Sequence, residues 1–108
     1  MKKSLSSQEI KSLLSEGKQF RTSNLSFKYY PALRTGLAFS VPRGSGRAVL
    51  RNKLKRIARA RIAGDLFSAF SFHCLVRPIT GLTKQMAVAN DFILFADHLK
   101  LTLVNIKK

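Results

Sequence analysis

Hydrophobic residues switch between two periods along this chain, and the switches mark its elements. From Ser6 to Glu16, Ile10, Leu13 and Leu14 share one side of a short helix. Ser6 and Glu9 have the spacing of a capping box, Leu5 and Ile10 that of a hydrophobic staple, and Gly17 is placed to end the helix. Alternation by two then takes over. Leu25, Phe27 and Tyr29 alternate with Ser26, Lys28 and Tyr30 in a stretch that runs from Lys18 to Tyr30 and is broken by the turn formers Thr22, Ser23 and Asn24. After a tight connection at Pro31 and Ala32, Leu37, Phe39 and Val41 share a face of a strand from Thr35 to Val41. Pro42 and the loop Gly44-Ser45-Gly46 end it.

Helical spacing returns from Arg47 to about Ala63, where Leu50, Leu54, Ile57 and Ala58 form an apolar stripe and Gly64 is placed as the stop. Asp65 to Ser71 follows neither period, although Phe67, Phe70 and Phe72 read as core and loop-packing residues. Phe72 to Ile79 is apolar on both faces, as in a covered strand, and Pro78 and Gly81 end it. Thr80 to Ala89 reads as loop and helix start. Asn90 to Ile106 keeps helical spacing through Phe92, Phe95, Leu99 and Ile106, with Asn90 as its cap, although Leu101, Leu103 and Ile106 also fit a strand. The order αβββαβα predicts one α+β domain spanning residues 1–108, with a small four-stranded sheet packed with three helices. By the general rule for such connections, the βαβ crossover is right-handed.

Charge changes the picture from fold to partner. The formal net charge is +15 and the pI about 11.1, a balance that calls for a polyanion. The acids are Glu9, Glu16, Asp65, Asp91 and Asp97, so none lies between Lys18 and Gly64. Arg43, Arg47, Arg51, Lys53, Lys55, Arg56, Arg59 and Arg61 crowd into and around the middle helix. Arg47, Arg51, Lys55 and Arg59 form one row along it, with Asn52 and Arg56 beside the row and Lys53 further round. Like charges at this spacing repel in an isolated helix. A polyanion turns the repulsion into attraction, and a run so free of acids favours that over a merely solvated face. The amides at the start of the helix could hold a phosphate. The glycine loop before it lacks a G-K-[ST] ending, which argues against nucleotide hydrolysis.

Several classes of function recede. Cys74 is the single cysteine, so neither a disulfide framework nor a zinc-ligand spacing is available, and its apolar run marks it as a core residue. His73, its neighbour, points to the opposite face of the strand. His73 reads as a buried strand histidine and His98 as a surface helix histidine, and the acids are too scattered to form a metal motif. The N-terminus has positive charge but no apolar stretch behind it, and no run is long enough to span a membrane. The expectation is a soluble, cytoplasmic protein.

The stretch from Arg43 to Arg61 resembles the signature of the bacterial ribonuclease P protein subunit, which runs roughly K-x-G-x-A-V-x-R-N-R-x-K-R-x-x-R-E. Gly46, Ala48, Val49, Arg51, Asn52, Lys55, Arg56 and Arg59 match it; Arg43, Lys53 and Ala60 stand in place of its first Lys, an Arg and its acid. The early helix, the Gly17 turn, the Thr35-Gly36-Leu37 strand and the strand ending in Arg77-Pro78 also fall in the family's order.

The resemblance implies a left-handed rather than right-handed crossover. It implies that Arg43, Arg47, Arg51, Asn52, Lys53 and Arg56 bind the catalytic RNA, and that Ile10, Leu14, Lys28, Lys55 and Arg59 bind the single-stranded 5′ leader of precursor tRNA. Ile10 and Leu14 stand where the family usually has aromatic residues, and Lys28 near a usual Tyr. It implies further that the protein is the binding component of a ribonucleoprotein endonuclease. The chemistry then belongs to the ribonuclease P RNA with Mg²⁺, and the protein needs no metal motif, small-molecule cofactor or catalytic residue of its own. A ribosomal or other structural RNA-binding protein, a DNA-binding protein and an independent nuclease are the alternatives. The last two lack a helix-turn-helix and a metal site respectively.

Overall fold

Helix α1 (Ser7–Glu16) begins with both hydrogen bonds of the capping box: the Glu9 amide donates to Ser6 Oγ at 3.2 Å and the Ser6 amide to Glu9 Oε1 at 2.9 Å. The computed structural model of the protein describes residues 5–79, 81–82 and 88–103. Gly17 ends α1 as predicted, but its backbone is extended (φ −71°), not left-handed. Glycine is required there for closeness. A Cβ at this position would lie 2.4 Å from the Leu13 carbonyl oxygen and 3.2 Å from that of Tyr29.

Strand β1 (Lys18–Arg21) turns through Thr22-Ser23-Asn24 into β2 (Leu25–Pro31), where the Leu25 amide donates to Thr22 Oγ1 at 3.0 Å. Strand β3 (Gly36–Phe39) is shorter than the alternation predicts, and β4 spans Phe72–Pro78. The sheet order is β1-β2-β4-β3. β2 runs antiparallel to β1 and β4, while β3 and β4 are parallel and joined by the long middle helix, as the βαβ reading requires.

Alternation sorts the sheet into two faces. Leu25, Phe27 and Tyr29 of β2, Phe72, Cys74 and Val76 of β4 and Leu37 of β3 point into the main core. Phe27 stacks on Phe95 with ring centroids 4.2 Å apart and meets Phe92 edge-on at 5.5 Å. On the opposite face, Leu13 of α1 packs on Ala38 and Leu75, with Leu5 and Ile10 beside them. The staple pair therefore sits at the start of a second, smaller core.

The middle helix departs from the sequence reading. Helix α2 (Ala48–Ala58) does not stop at Gly64. From Arg59 to Leu66 it widens into π turns, with the Phe67 amide donating to the Ile62 carbonyl five residues back, and it closes with a last turn over Phe67–Ala69. Leu54, Ala58, Ile62 and Leu66 are all buried at a strict spacing of four. Such a series drifts around an α-helix of 3.6 residues per turn, and wider turns bring it back to the core side. Core packing on both sides of exposed Gly64 thus overrides its preference for ending a helix. Helix α3 is described over Val88–Leu103, so Asn90 lies inside it and is not its cap. Phe92, Phe95 and Leu99 are buried as predicted, whereas the expected end at Ile106 falls outside the described residues.

Candidate nucleic-acid interface

The basic row of α2 runs beside its core stripe of Leu54 and Ala58, and Asn52, Lys53 and Arg56 lie further round toward solvent. Arg43, Arg47, Asn52, Lys53 and Arg56 are exposed. Arg51 is different: it is half-buried, and its Nε donates to the Gly46 carbonyl at 3.1 Å. That bond fixes the guanidinium at the start of the helix and leaves its terminal nitrogens as donors. Gly46 itself has φ +153°, and a Cβ there would lie 3.1 Å from the Leu82 Cβ and 3.2 Å from the Leu82 carbonyl oxygen. Gly46 is therefore seated against Leu82. Among the described residues, Arg61 is the one cation of this stretch with an ion pair, to Asp65 at 3.8 Å. The others form no ion pair among the described residues.

A second surface lies on the other side of the sheet, where the C-terminal half of α1 overhangs the strands. It is a groove of about 370 Å³. Ile10 and Leu14 form its wall, and Lys28, Ser26, Leu75 and Arg77 its floor. Gln19 of β1 and Phe39 and Ser40 on the β3 side complete it. Three residues expected in a leader cleft, Ile10, Leu14 and Lys28, thus meet in one place. Leu13 takes the core position between Ile10 and Leu14, which leaves Leu14 half-exposed in the groove.

Lys28 is not a free cation, because its ammonium donates to the Leu14 carbonyl at 2.6 Å and ties the wall to the floor. Gln19 Nε2 donates to Ser26 Oγ at 2.9 Å. The Arg59 guanidinium lies over the Phe39 ring, 5.5 Å from its centroid, at the β3 edge of the sheet; that ring packs toward the main core, and Arg59 is not among the groove residues. Lys55, one turn earlier in the same row, is half-buried and is not among the groove residues. Sequence reasoning did not place Arg77 in the site. The signal was present: it is the one cation in an otherwise covered strand, at the position that alternates away from Val76.

The titratable groups are tied up elsewhere. The Ser6 amide and the Arg34 guanidinium beside Glu9 hold its carboxyl far below the usual range, at about 2. Burial raises the Cys74 thiol well above its ordinary value. His98 is no plain surface residue: it stacks on Phe20 with centroids 4.4 Å apart and meets the Tyr29 hydroxyl at 2.6 Å through Nε2. Burial and then the charge of Lys18 lower its pKa. Nε2 of His73 lies 3.7 Å from the Glu9 carboxylate, without a hydrogen bond. Among the described residues, no group of three or more His, Cys, Asp or Glu side chains is placed to hold a metal ion, and no helix is long and apolar enough to cross a membrane.

Known proteins share this fold. The family model described as ribonuclease P matches residues 2–99. No curated protein matches the chain. Among solved structures, the RNase P protein of Thermotoga maritima is similar over 97% of this chain and 94% of its own, at 22% identity and a TM-score of 0.59. A mutant of the Staphylococcus aureus RNase P protein, one with defective mRNA degradation activity, is similar over 91% of this chain and 85% of its own, at 18% identity and a TM-score of 0.69.

Proposed function

The chain belongs to the ribonuclease P protein family and so serves in tRNA 5′ processing, and from that premise we propose that it presents two separate RNA-binding surfaces. Its partner is the ribonuclease P RNA, as the family implies. On this reading the exposed side of α2 holds that RNA through Arg43, Arg47, Arg51, Asn52, Lys53 and Arg56, largely at phosphates. The groove on the other face takes the 5′ leader of precursor tRNA. The observation that carries the proposal is the groove itself: Ile10, Leu14 and Lys28 converge in it, with Arg77 on its floor.

The two surfaces ask different things of their residues. A fixed fork such as Arg51 favours bidentate contact with a phosphate, and its anchor on Gly46 removes part of the ordering cost. In the groove the wall is aliphatic, so bases gain apolar contact with Ile10 and Leu14 in place of aromatic stacking. Arg59, Arg77 and Lys55 neutralise phosphates of the leader as it passes. The protein thereby orients the substrate and screens repulsion between two RNAs, while Mg²⁺ bound at the RNA subunit supplies the hydrolytic chemistry.

Reconstitution tests the reading. The purified protein is mixed with a bacterial ribonuclease P RNA and precursor tRNA at low Mg²⁺, and 5′ processing is followed. Stimulated cleavage is expected. RNA binding with no stimulation would instead identify a structural RNA-binding protein.

A further inference from the structure

The groove does not end at the residues that line it. Arg21, Ser26, Arg77 and Ser40 form one transverse row across the four strands. Arg21 pairs with Ser26 and Ser26 with Arg77, while the Ser40 amide donates to the Val76 carbonyl beside Arg77. Ser26, Ser40 and Arg77 line the groove. Arg21 lies two positions from Gln19, another groove residue, and alternation puts it on the same face. It is exposed, and among the described residues it forms no ion pair. Along the row, arginine and serine alternate, with the Ser26 hydroxyl between Arg21 and Arg77 and Ser40 beyond Arg77.

We propose that strand β1 carries the leader out of the groove, with Arg21 holding a backbone phosphate of the departing single strand. This rests on the leader-groove reading above and adds a direction to it. The order β1-β2-β4-β3 puts β3, Phe39 and Arg59 at one side of the sheet, next to α2, and β1 at the other. With α2 on the catalytic RNA, the leader enters beside Arg59, crosses Arg77 and Ser26, and reaches Arg21 last. Cations of this kind need only charge, because a phosphate is the same at every nucleotide. The competing role for Arg21 is to guard an edge strand against pairing with another sheet, which a charged side chain also does.

The experiment uses the protein assembled with ribonuclease P RNA, and precursor tRNAs whose leaders grow one nucleotide at a time. The affinity deficit of Arg59→Ala is expected to begin at short leaders, and that of Arg21→Ala only at longer ones, growing to several-fold. With a long leader, Arg21→Ala should also lower the salt slope by about 0.7, the value for one phosphate of a single strand. Arg21→Lys should restore both. A deficit of Arg21→Ala that is absent, or equal at every leader length, overturns the β1 path, even if the variant self-associates more readily. If Arg59→Ala and Lys55→Ala are also blind to leader length, the groove reading falls as well. If only Arg21→Ala is blind, the β1 path alone is wrong.

Discussion

Lys28, in the middle of β2, donates its ammonium proton to the carbonyl of Leu14 in the last turn of α1, at 2.6 Å. The last carbonyls of a helix have no partner within it and carry partial negative charge, so the bond both satisfies an acceptor and complements the helix dipole. It also sets how far the wall of the groove stands from its floor. Lys28→Met keeps the aliphatic stem and removes the bond. Exposure limits the cost to about 0.5–1.5 kcal/mol in urea unfolding. Hydrogen exchange should accelerate in the last turn of α1 before it does in the sheet, and a uniform change would show that Lys28 does not hold the wall.

Gly17 sits where helix and sheet come closest. Gly17→Ala places a methyl group 2.4 Å from the backbone oxygen of Leu13, which cannot swing aside as a flexible side chain would. The change should destabilise the fold by about 1–3 kcal/mol through overpacking. Equilibrium unfolding measures it. A stability equal to that of the parent would mean that α1 shifts freely on the sheet.

Arg51 and Gly46 should act as one unit in RNA binding. Gly46→Ala removes no charge, yet it strains a backbone at φ +153° and presses on Leu82, displacing the carbonyl that anchors Arg51. Both Gly46→Ala and Arg51→Ala should weaken binding to ribonuclease P RNA. Arg51→Ala should lower the salt slope by about one unit for each phosphate that Arg51 neutralises. In a double-mutant cycle the two effects should fall well short of adding, since each change removes the same fixed fork. Strict additivity would show that the anchor contributes nothing to binding.

The sequence carried most of this fold because local signals agreed with the packing. The capping box at Ser6 and Glu9, the turn at Thr22-Ser23-Asn24 and the alternation through Leu25, Phe27 and Tyr29 all appear as read. Gly64 misled because a glycine's local preference is weak against a buried Ala58, Ile62 and Leu66. The groove was only partly legible. Ile10, Leu14 and Lys28 came from the family's motif positions, whereas Arg77 and Arg21 depend on strand register, which a single sequence does not state. Nor does a sequence reveal that Lys28 is spent on Leu14, or that His98 is held by Tyr29 and Phe20.

The His98 contact predicts a pH dependence. Its pKa is lowered from 6.5 by burial and then by Lys18, so the folded chain resists a proton that the unfolded chain accepts. Where the unfolded state binds more protons, stability rises with pH. The protein should therefore be most stable above about pH 6.5 and lose stability as pH falls below it, well before the Glu9 carboxyl, held at about 2, begins to contribute at pH values under 4.5. His98→Gln removes the titration and should flatten the slope between about pH 7 and pH 5. Urea unfolding across that range decides it, and an unaltered slope would assign the dependence to another group.

The protein should promote cleavage without supplying a reacting group. None of the acids lines the groove. Glu9 is held by Ser6 and Arg34, Asp65 by Arg61, and buried Asp91 accepts from Asn24 Nδ2 at 3.1 Å. Glu16 is exposed at the end of α1 and Asp97 on α3, and His98 is occupied by Tyr29. General acid–base catalysis needs a group within hydrogen-bond reach of the reacting atoms. Asp65→Ala, Asp97→Ala, His73→Gln, His98→Gln and the shape-preserving Asp91→Asn should therefore leave the cleavage step of the assembled enzyme nearly unchanged in single-turnover kinetics. The protein alone should cut nothing at any Mg²⁺ concentration. Raising Mg²⁺ should let the RNA cleave precursor tRNA by itself, because added cations replace the charge screening that Arg51, Arg56 and their neighbours provide. A folded variant that binds both RNAs normally yet loses cleavage by orders of magnitude would place a catalytic group in the protein.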